Sequence, residues 1–138
     1  MPNLSIFLLS NQPKDPFRVL GCDYLRRTQR PFMPDLVVTT ESKVLELSTG
    51  RFRIALEEQG ILQNSEQFAR QLEKRIISDQ KVAFIIGAAK GIPKSISEKC
   101  NAIWSLSPMT FPHRFAYCML AEQIYRAGEI LRNGPYHK

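Results

Sequence analysis

The segment Val82-Ala83-Phe84-Ile85-Ile86 constrains the fold more than any other stretch of the chain, because five apolar residues run without a polar interruption and stop at Gly87. A strand with one wet face alternates polar and apolar residues, so a continuous run is the pattern of a strand covered on both faces, at the centre of a parallel sheet. The cover has to come from elements that alternate with it. Leu4-Ser5-Ile6-Phe7-Leu8-Leu9 predicts a second buried strand, ended by the loop Ser10-Asn11-Gln12-Pro13. Phe17, Leu20, Tyr24 and Leu25 recur at helical spacing, and Arg26-Arg27 puts positive charge at the negative end of that helix dipole. Leu36-Val37-Val38-Thr39-Thr40 is β-branched and predicts another strand, as does 52–56. Ser65 is a capping residue before a helix whose stripe Phe68, Leu72 and Ile76 runs to about Ile77. A short helix over 93–99, a short strand over 102–106 and a long helix opened by Pro112 and reaching about Arg132 complete the pattern. Strands that alternate with helices predict an α/β fold, a mainly parallel sheet flanked by helices. No Gly/Ser-rich or Pro-rich linker divides the 138 residues, so one domain over 1–138 is expected.

A formal charge of +6 and a pI near 9.5 suit a polyanionic partner, since phosphates neutralised by Lys and Arg release counterions. Cys22, Cys100 and Cys118 are too far apart for a zinc knuckle or a redox pair; reduced thiols and no metal are expected. The apolar run 4–9 is too short for a membrane span and lacks the flanks of a signal peptide, which predicts a cytoplasmic protein with no membrane partner.

Three features after the central strand can carry chemistry. The first is the turn Gly87-Ala88-Ala89-Lys90-Gly91, which sits where ligands bind in parallel sheets, beyond the carboxyl end of a strand. Its glycines allow close backbone approach, but it matches neither a dinucleotide fingerprint nor a phosphate-binding loop, and a purely structural turn reads as well. The second is the mostly apolar loop Leu106-Ser107-Pro108-Met109-Thr110-Phe111, either a buried turn feeding the last helix or a lining for a flat ring such as adenine. His113 follows it, a packing residue or a group that touches a phosphate or an exchangeable proton. The third is the tail Tyr136-His137-Lys138, a frayed end or a set that stacks on a base and holds a phosphate. Glu122 and Arg126 stand i, i+4 on the last helix, the spacing of a surface ion pair. The apolar face of that helix, with Phe115, Met119, Leu120, Ile124 and Ala127, is wider than one sheet contact needs. Either part of it meets another subunit or the helix is deeply buried in a monomer.

Taken together, Phe84-Ile85-Ile86-Gly87, Trp104-Ser105-Leu106-Ser107, Met109-Thr110-Phe111-Pro112-His113, Ala121-Glu122-Gln123-Ile124-Tyr125-Arg126-Ala127 and Pro135-Tyr136-His137-Lys138 resemble one family. It is that of the large-subunit ribosomal RNA pseudouridine N3-methyltransferases of the SPOUT superfamily. The close match covers 82–138, and a weaker one takes in 4–27 and the strand at 52–56 with its following helix. The resemblance implies a C-terminal trefoil knot, a homodimer, and S-adenosyl-L-methionine (AdoMet) as methyl donor, held by Leu56, Gly87, Leu106, Ser107, Pro108, Met109, Thr110 and Phe111. It implies a pseudouridine of large-subunit rRNA in the assembled ribosome as acceptor. His113, Glu122 and His137 are then the groups available to take the N3 proton, and Arg126, Tyr136, His137 and Lys138 those for RNA contacts. A knotted tRNA methyltransferase and an RNA-binding module that kept the fold without activity are the rival readings. Three departures stand out: segment 40–51 is short, so a helix near the substrate is expected to be lost or reduced; Ala88 replaces a second glycine; and Glu57-Glu58-Gln59-Gly60-Ile61, read as a turn, lacks a lysine common there.

Overall fold

The computed structural model describes residues 2–10 and 12–137. The order of elements is β1 (Leu4–Leu9), α1 (Pro16–Arg27), β2 (Pro34–Thr39), α2 (Val44–Leu47), β3 (Phe52–Leu62), α3 (Ser65–Ile77), β4 (Val82–Ile86), α4 (Lys94–Ser97), β5 (Ala102–Ser105) and α5 (His113–Leu131). The strands form one parallel sheet in the order β2-β1-β4-β3-β5, with the unbroken apolar run of β4 at its centre. Successive side chains of a strand point to opposite faces, and the core divides accordingly. Leu4, Ile6 and Leu8 join Val82, Phe84 and Ile86 in a large cluster under α1, α3 and α5. Phe7 and Leu9 join Ala83 and Ile85 on the other face, in a smaller cluster with Val44 and Ile96 from the one-turn helices α2 and α4. The short segment 40–51 thus keeps its helix, reduced to four residues.

Two expectations need correction. The third strand does not end at 56. β3 pairs with β5 through Leu56↔Trp104, loops out over 57–60 and returns so that Ile61 again faces Trp104. Gly60 makes the return possible, since a Cβ there would lie 2.7 Å from the Trp104 carbonyl carbon. The cap of α3 is Asn64, not Ser65. Asn64 accepts from Gln67 N at 2.8 Å while the Gln67 side chain accepts from Asn64 N at 2.9 Å, a full capping box. Ser65 is thereby freed for a tertiary contact.

The helical face is closed by α5. Tyr117 is fully buried against α1 and shares a hydrogen bond of 3.2 Å with the Cys22 thiol. Cys22, Cys100 and Cys118 are all free thiols. Among the described residues no helix is long and apolar enough to cross a membrane. The wide apolar face of α5 is divided. Leu120, Ile124 and Ala127 are buried in the large core, whereas Phe115 is 37% exposed. Phe115 stacks on Phe17 of α1 with ring centroids 4.3 Å apart.

Candidate active site

The carboxyl ends of β3, β4 and β5 open into two cavities that share a wall. Leu56, Leu106, Ser107 and Phe111 line both. On one side, a cavity of about 650 Å³ is bounded by the 57–59 loop-out, the 87–91 turn and the start of α5. The turn closes on itself, with Gly91 N donating to Ala88 O at 2.8 Å. A Cβ on Gly87 would stand 2.4 Å from the carbonyl carbon of Gly91. The close approach expected at Gly87 therefore exists, but its neighbour is the turn's own backbone. Ser105 and Ser107 shape the other edge. The Ser105 hydroxyl accepts from Ser107 N at 3.1 Å and donates to Ser107 O at 2.9 Å, and Ser107 Oγ accepts from Met109 N at 3.1 Å. Side-chain bonds of this kind hold a loop that has no ladder.

Of the residues expected to hold the methyl donor, Leu56, Gly87, Leu106, Ser107, Met109, Thr110 and Phe111 line this one cavity, and Pro108 does not. His113 lines it as well. Glu57 and Glu58, which the sequence reading passed over as turn residues, add acidic side chains to it. Burial, and then the neighbouring Glu58, push the Glu57 carboxyl above its ordinary value. The donor set fits AdoMet: an apolar wall for the adenine and carboxylates for a ligand that carries sulfonium and ammonium charges.

Across the wall lies a cavity of about 630 Å³ between the start of α3, the end of β5 and the middle of α5. The expected pair Glu122 and Arg126 is here, and it is no surface pair. Glu122 is 19% exposed and Arg126 25%, with Arg126 Nη2 donating to Glu122 Oε2 at 2.8 Å. The tail folds back over the helix end to join them. Asn133 turns the chain at φ 55°, a left-handed conformation that asparagine tolerates, and Gly134 N donates to Glu129 O at 2.8 Å. Glu129 is only 3% exposed and is paired with Arg132 at 2.7 Å, a buried anchor that nothing in its spacing announced. Tyr136 then donates to Glu122 Oε2 at 2.6 Å, under the Arg126 guanidinium 4.7 Å from its ring centroid. The Glu122 hydrogen bond, then burial, push the Tyr136 phenol well above its ordinary value.

Arg126 Nη1 lies 3.1 Å from His137 Nδ1, and a guanidinium can only donate, so the neutral ring carries its proton on Nε2, facing Glu66 at 3.5 Å. A second chain of bonds secures the carboxylate. Ser65 Oγ donates to Gln123 Oε1 at 2.7 Å and Gln123 Nε2 donates to Glu122 Oε1 at 3.2 Å. The structure thus brings Glu122, Arg126, Tyr136 and His137 together. His113 stands apart from them, nine residues along the same helix from Glu122 or about 14 Å by helical rise. Lys138 lies outside the described residues.

The family model described as "Predicted SPOUT methyltransferase" matches residues 8–137. The ribosomal RNA large subunit methyltransferase H of Gemmatimonas aurantiaca is 37% identical over 125 residues, 91% of this chain and 75% of that protein. Among solved structures, a methylase family protein from Neisseria gonorrhoeae superposes with a TM-score of 0.62 at 12% identity, covering 91% of this chain and 82% of that one. The SpoU methyltransferase AviRb from Streptomyces viridochromogenes, solved with AdoMet, superposes with a TM-score of 0.54 at 11% identity, covering 95% of this chain and 58% of that one. These two likenesses concern the fold alone. With the family match spanning nearly the whole chain, this protein belongs to the SPOUT methyltransferases, together with the ribosomal RNA large subunit methyltransferase H proteins.

Proposed function

We propose that this protein is a cytoplasmic, single-domain AdoMet-dependent methyltransferase that works as a homodimer on the assembled ribosome, methylating N3 of a pseudouridine in large-subunit rRNA. The observation that carries the reading is the common wall of Leu56, Leu106, Ser107 and Phe111, with a cavity suited to a cationic, aromatic donor on one side and a charged cluster suited to an acceptor on the other. The names of the methyltransferase H relatives and the charge of +6 support RNA as the acceptor. In this reading the loops 87–91 and 106–111 belong to the trefoil knot.

AdoMet, when bound, supplies an electrophilic methyl group. The two cavities meet at Leu56, Leu106, Ser107 and Phe111, where donor and acceptor would face each other across a mostly apolar junction, and such orientation is worth up to about 7 to 11 kcal/mol of barrier. Bound there, AdoMet would give that methyl to N3 of the acceptor and depart as the neutral thioether. The N3 proton must go to a base. Arg126 occupies His137 Nδ1, and His113 lines the donor cavity, so Glu122 takes that proton. Arg126 then stabilises the negative charge that develops on the ring, while Tyr136 and His137, with Lys138 beyond them, hold RNA. The test is transfer of labelled methyl from AdoMet to ribosomes lacking the modification, followed by mapping of the labelled nucleotide. Label at one pseudouridine of large-subunit RNA is expected. Label in tRNA instead overturns the acceptor assignment, and the absence of AdoMet affinity in calorimetry overturns the enzyme.

A further inference from the structure

The two cavities do not hold the positive charge of the chain. Three carboxylates, Glu57, Glu58 and Glu122, line them against two cations, Lys90 and Arg126, although the whole chain carries +6. The cations that attract a polyanion therefore lie elsewhere, and the opposite end of the sheet has several. The register puts Pro34, Leu4, Val82 and Phe52 side by side, at the amino ends of β2, β1, β4 and β3. That edge stands about 20 Å from the candidate site, the length of a six-residue strand such as β1.

A groove of about 400 Å³ opens there between the end of α1 and the start of β2, with Arg26 and Arg30 over a floor that includes Leu25, Phe32 and Met33. Arg26 and Arg27 already serve the fold, since they share Asp23 at the negative end of the α1 dipole. Arg30 does not. It is exposed, as is Lys81 just before β4, and among the described residues neither side chain has a hydrogen bond or an ion pair. Yet the loop that presents Arg30 is firmly held. Phe32 is buried, Asn3 Nδ2 donates to Pro31 O at 2.8 Å, and Asn3 Oδ1 accepts from Met33 N at 2.8 Å. Asn3 O accepts from Val82 N at 2.9 Å, so one asparagine ties the Arg30 loop to the residue after Lys81. Of the carboxylates on this edge, Asp23 and Asp35 are bonded, the latter to Ser5, and Asp79 precedes Lys81 by two residues. A fixed loop whose exposed cation makes no bond within the fold is placed for something outside it.

We propose that this amino edge, from the Arg26 and Arg30 groove to Lys81, is a second RNA-binding face that takes backbone phosphates of ribosomal RNA away from the acceptor nucleotide. The proposal rests on the rRNA reading above and adds to it where the protein grips its substrate. It is independent of whether a second protomer completes the site. Phosphate contacts fix position and orientation without reading sequence. Arg30 offers a fork of donors to phosphate oxygens and Lys81 a point charge. Anchorage at this end leaves the other, where carboxylates outnumber cations, to admit a single nucleotide.

The test compares wild type with the double variant Arg30→Glu, Lys81→Glu. A matched control, Lys43→Glu with Lys94→Glu, makes the same change of net charge at the short helices α2 and α4, on the other face of the sheet. KM and kcat are measured across salt concentrations on ribosomes lacking the modification, together with filter binding to rRNA extracted from them and calorimetry with AdoMet. The double variant is expected to raise KM, to weaken rRNA binding, and to flatten the log–log salt dependence by roughly 0.7 to 0.9 for each of the two contacts. Its kcat at saturating ribosomes and its Kd for AdoMet stay those of wild type, and the control keeps the wild-type KM. Should charge reversal lower the Tm, Arg30→Gln with Lys81→Gln removes the same cations without adding acids and is expected to flatten the slope equally. A wild-type KM and salt slope in the double variant, or an equal loss in the control, overturns the second face. A defect on ribosomes with wild-type binding to extracted rRNA gives the edge to a ribosomal protein and overturns the RNA assignment. A wild type that labels no ribosomes at all defeats the rRNA reading instead.

Discussion

Glu122 accepts from Arg126, Tyr136 and Gln123 at once, so one carboxylate orients a cation, a phenol and an amide around the same few ångströms. Replacement by glutamine keeps the volume and removes the charge. Glu122→Gln is expected to lower methyl transfer by about a hundredfold or more, the low end of what a general base contributes. Its AdoMet affinity should be unchanged, because Glu122 does not line the donor cavity; wild-type turnover in this variant would remove Glu122 from the proton transfer. The same substitution has a titration signature. Tyr136 ionises in the folded protein above its ordinary value of 10.0, chiefly because its hydroxyl donates to Glu122. The stability this contributes is complete below pH 10 and is lost as pH rises through the raised value, since the unfolded chain gives up the proton first. In Glu122→Gln the phenol should titrate nearer to 10 by its absorbance, and that alkaline loss should shrink. At this scale the i, i+4 pair was legible. The docking of Tyr136 and His137 was not, because it crosses separations of 14 and 11 residues through a turn whose anchor, Glu129, looks like an ordinary helix residue.

The joint between α1 and α5 shows how little room separates the elements. A Cβ on Gly21 would lie 2.4 Å from the Tyr117 ring, and Tyr117 itself has no exposed surface. Gly21→Ala gains helix propensity but must push the two helices apart, and overpacking of this kind typically costs 1–3 kcal/mol. A fall in Tm of several degrees is expected in thermal unfolding, and a Tm at or above that of wild type would show that the joint yields. Gly21 looks in the sequence like a weakness in a helix; the physical reason for it is a tyrosine 96 positions away in the chain. The α3 cap teaches the same lesson over a shorter distance. Asn64 and Ser65 are both capping residues, and only the return of β3 after its loop-out decides which of them starts the helix and which reaches Gln123.

For the molecule as a whole, Phe115 of α5, stacked on Phe17, and Leu20, one turn further along α1, remain exposed, and they mark the face by which the proposed homodimer would close. Leu20→Glu should convert a dimer to a monomer in sedimentation with its far-ultraviolet dichroism retained. A variant that stays dimeric would place the interface elsewhere. Binding of RNA by this chain of charge +6 should weaken by roughly 0.7 to 0.9 log units per log unit of salt for each phosphate neutralised, and a flat salt response would count against RNA. The α/β class, the central place of β4, the helices that flank it and the position of the 87–91 and 106–111 loops beyond the strand ends were all legible in the sequence, whereas the methyl-donor role expected of those loops came only from the family resemblance. The former rest on local periodicity and on the chemistry of turn residues, which act between near neighbours. The tertiary structure decided the rest: the sheet order β2-β1-β4-β3-β5, the loop-out of β3, the shared wall between two cavities, and the cluster that joins α3, α5 and the tail. Those depend on which distant surfaces meet, and packing over long separations leaves no period in the chain by which to read it.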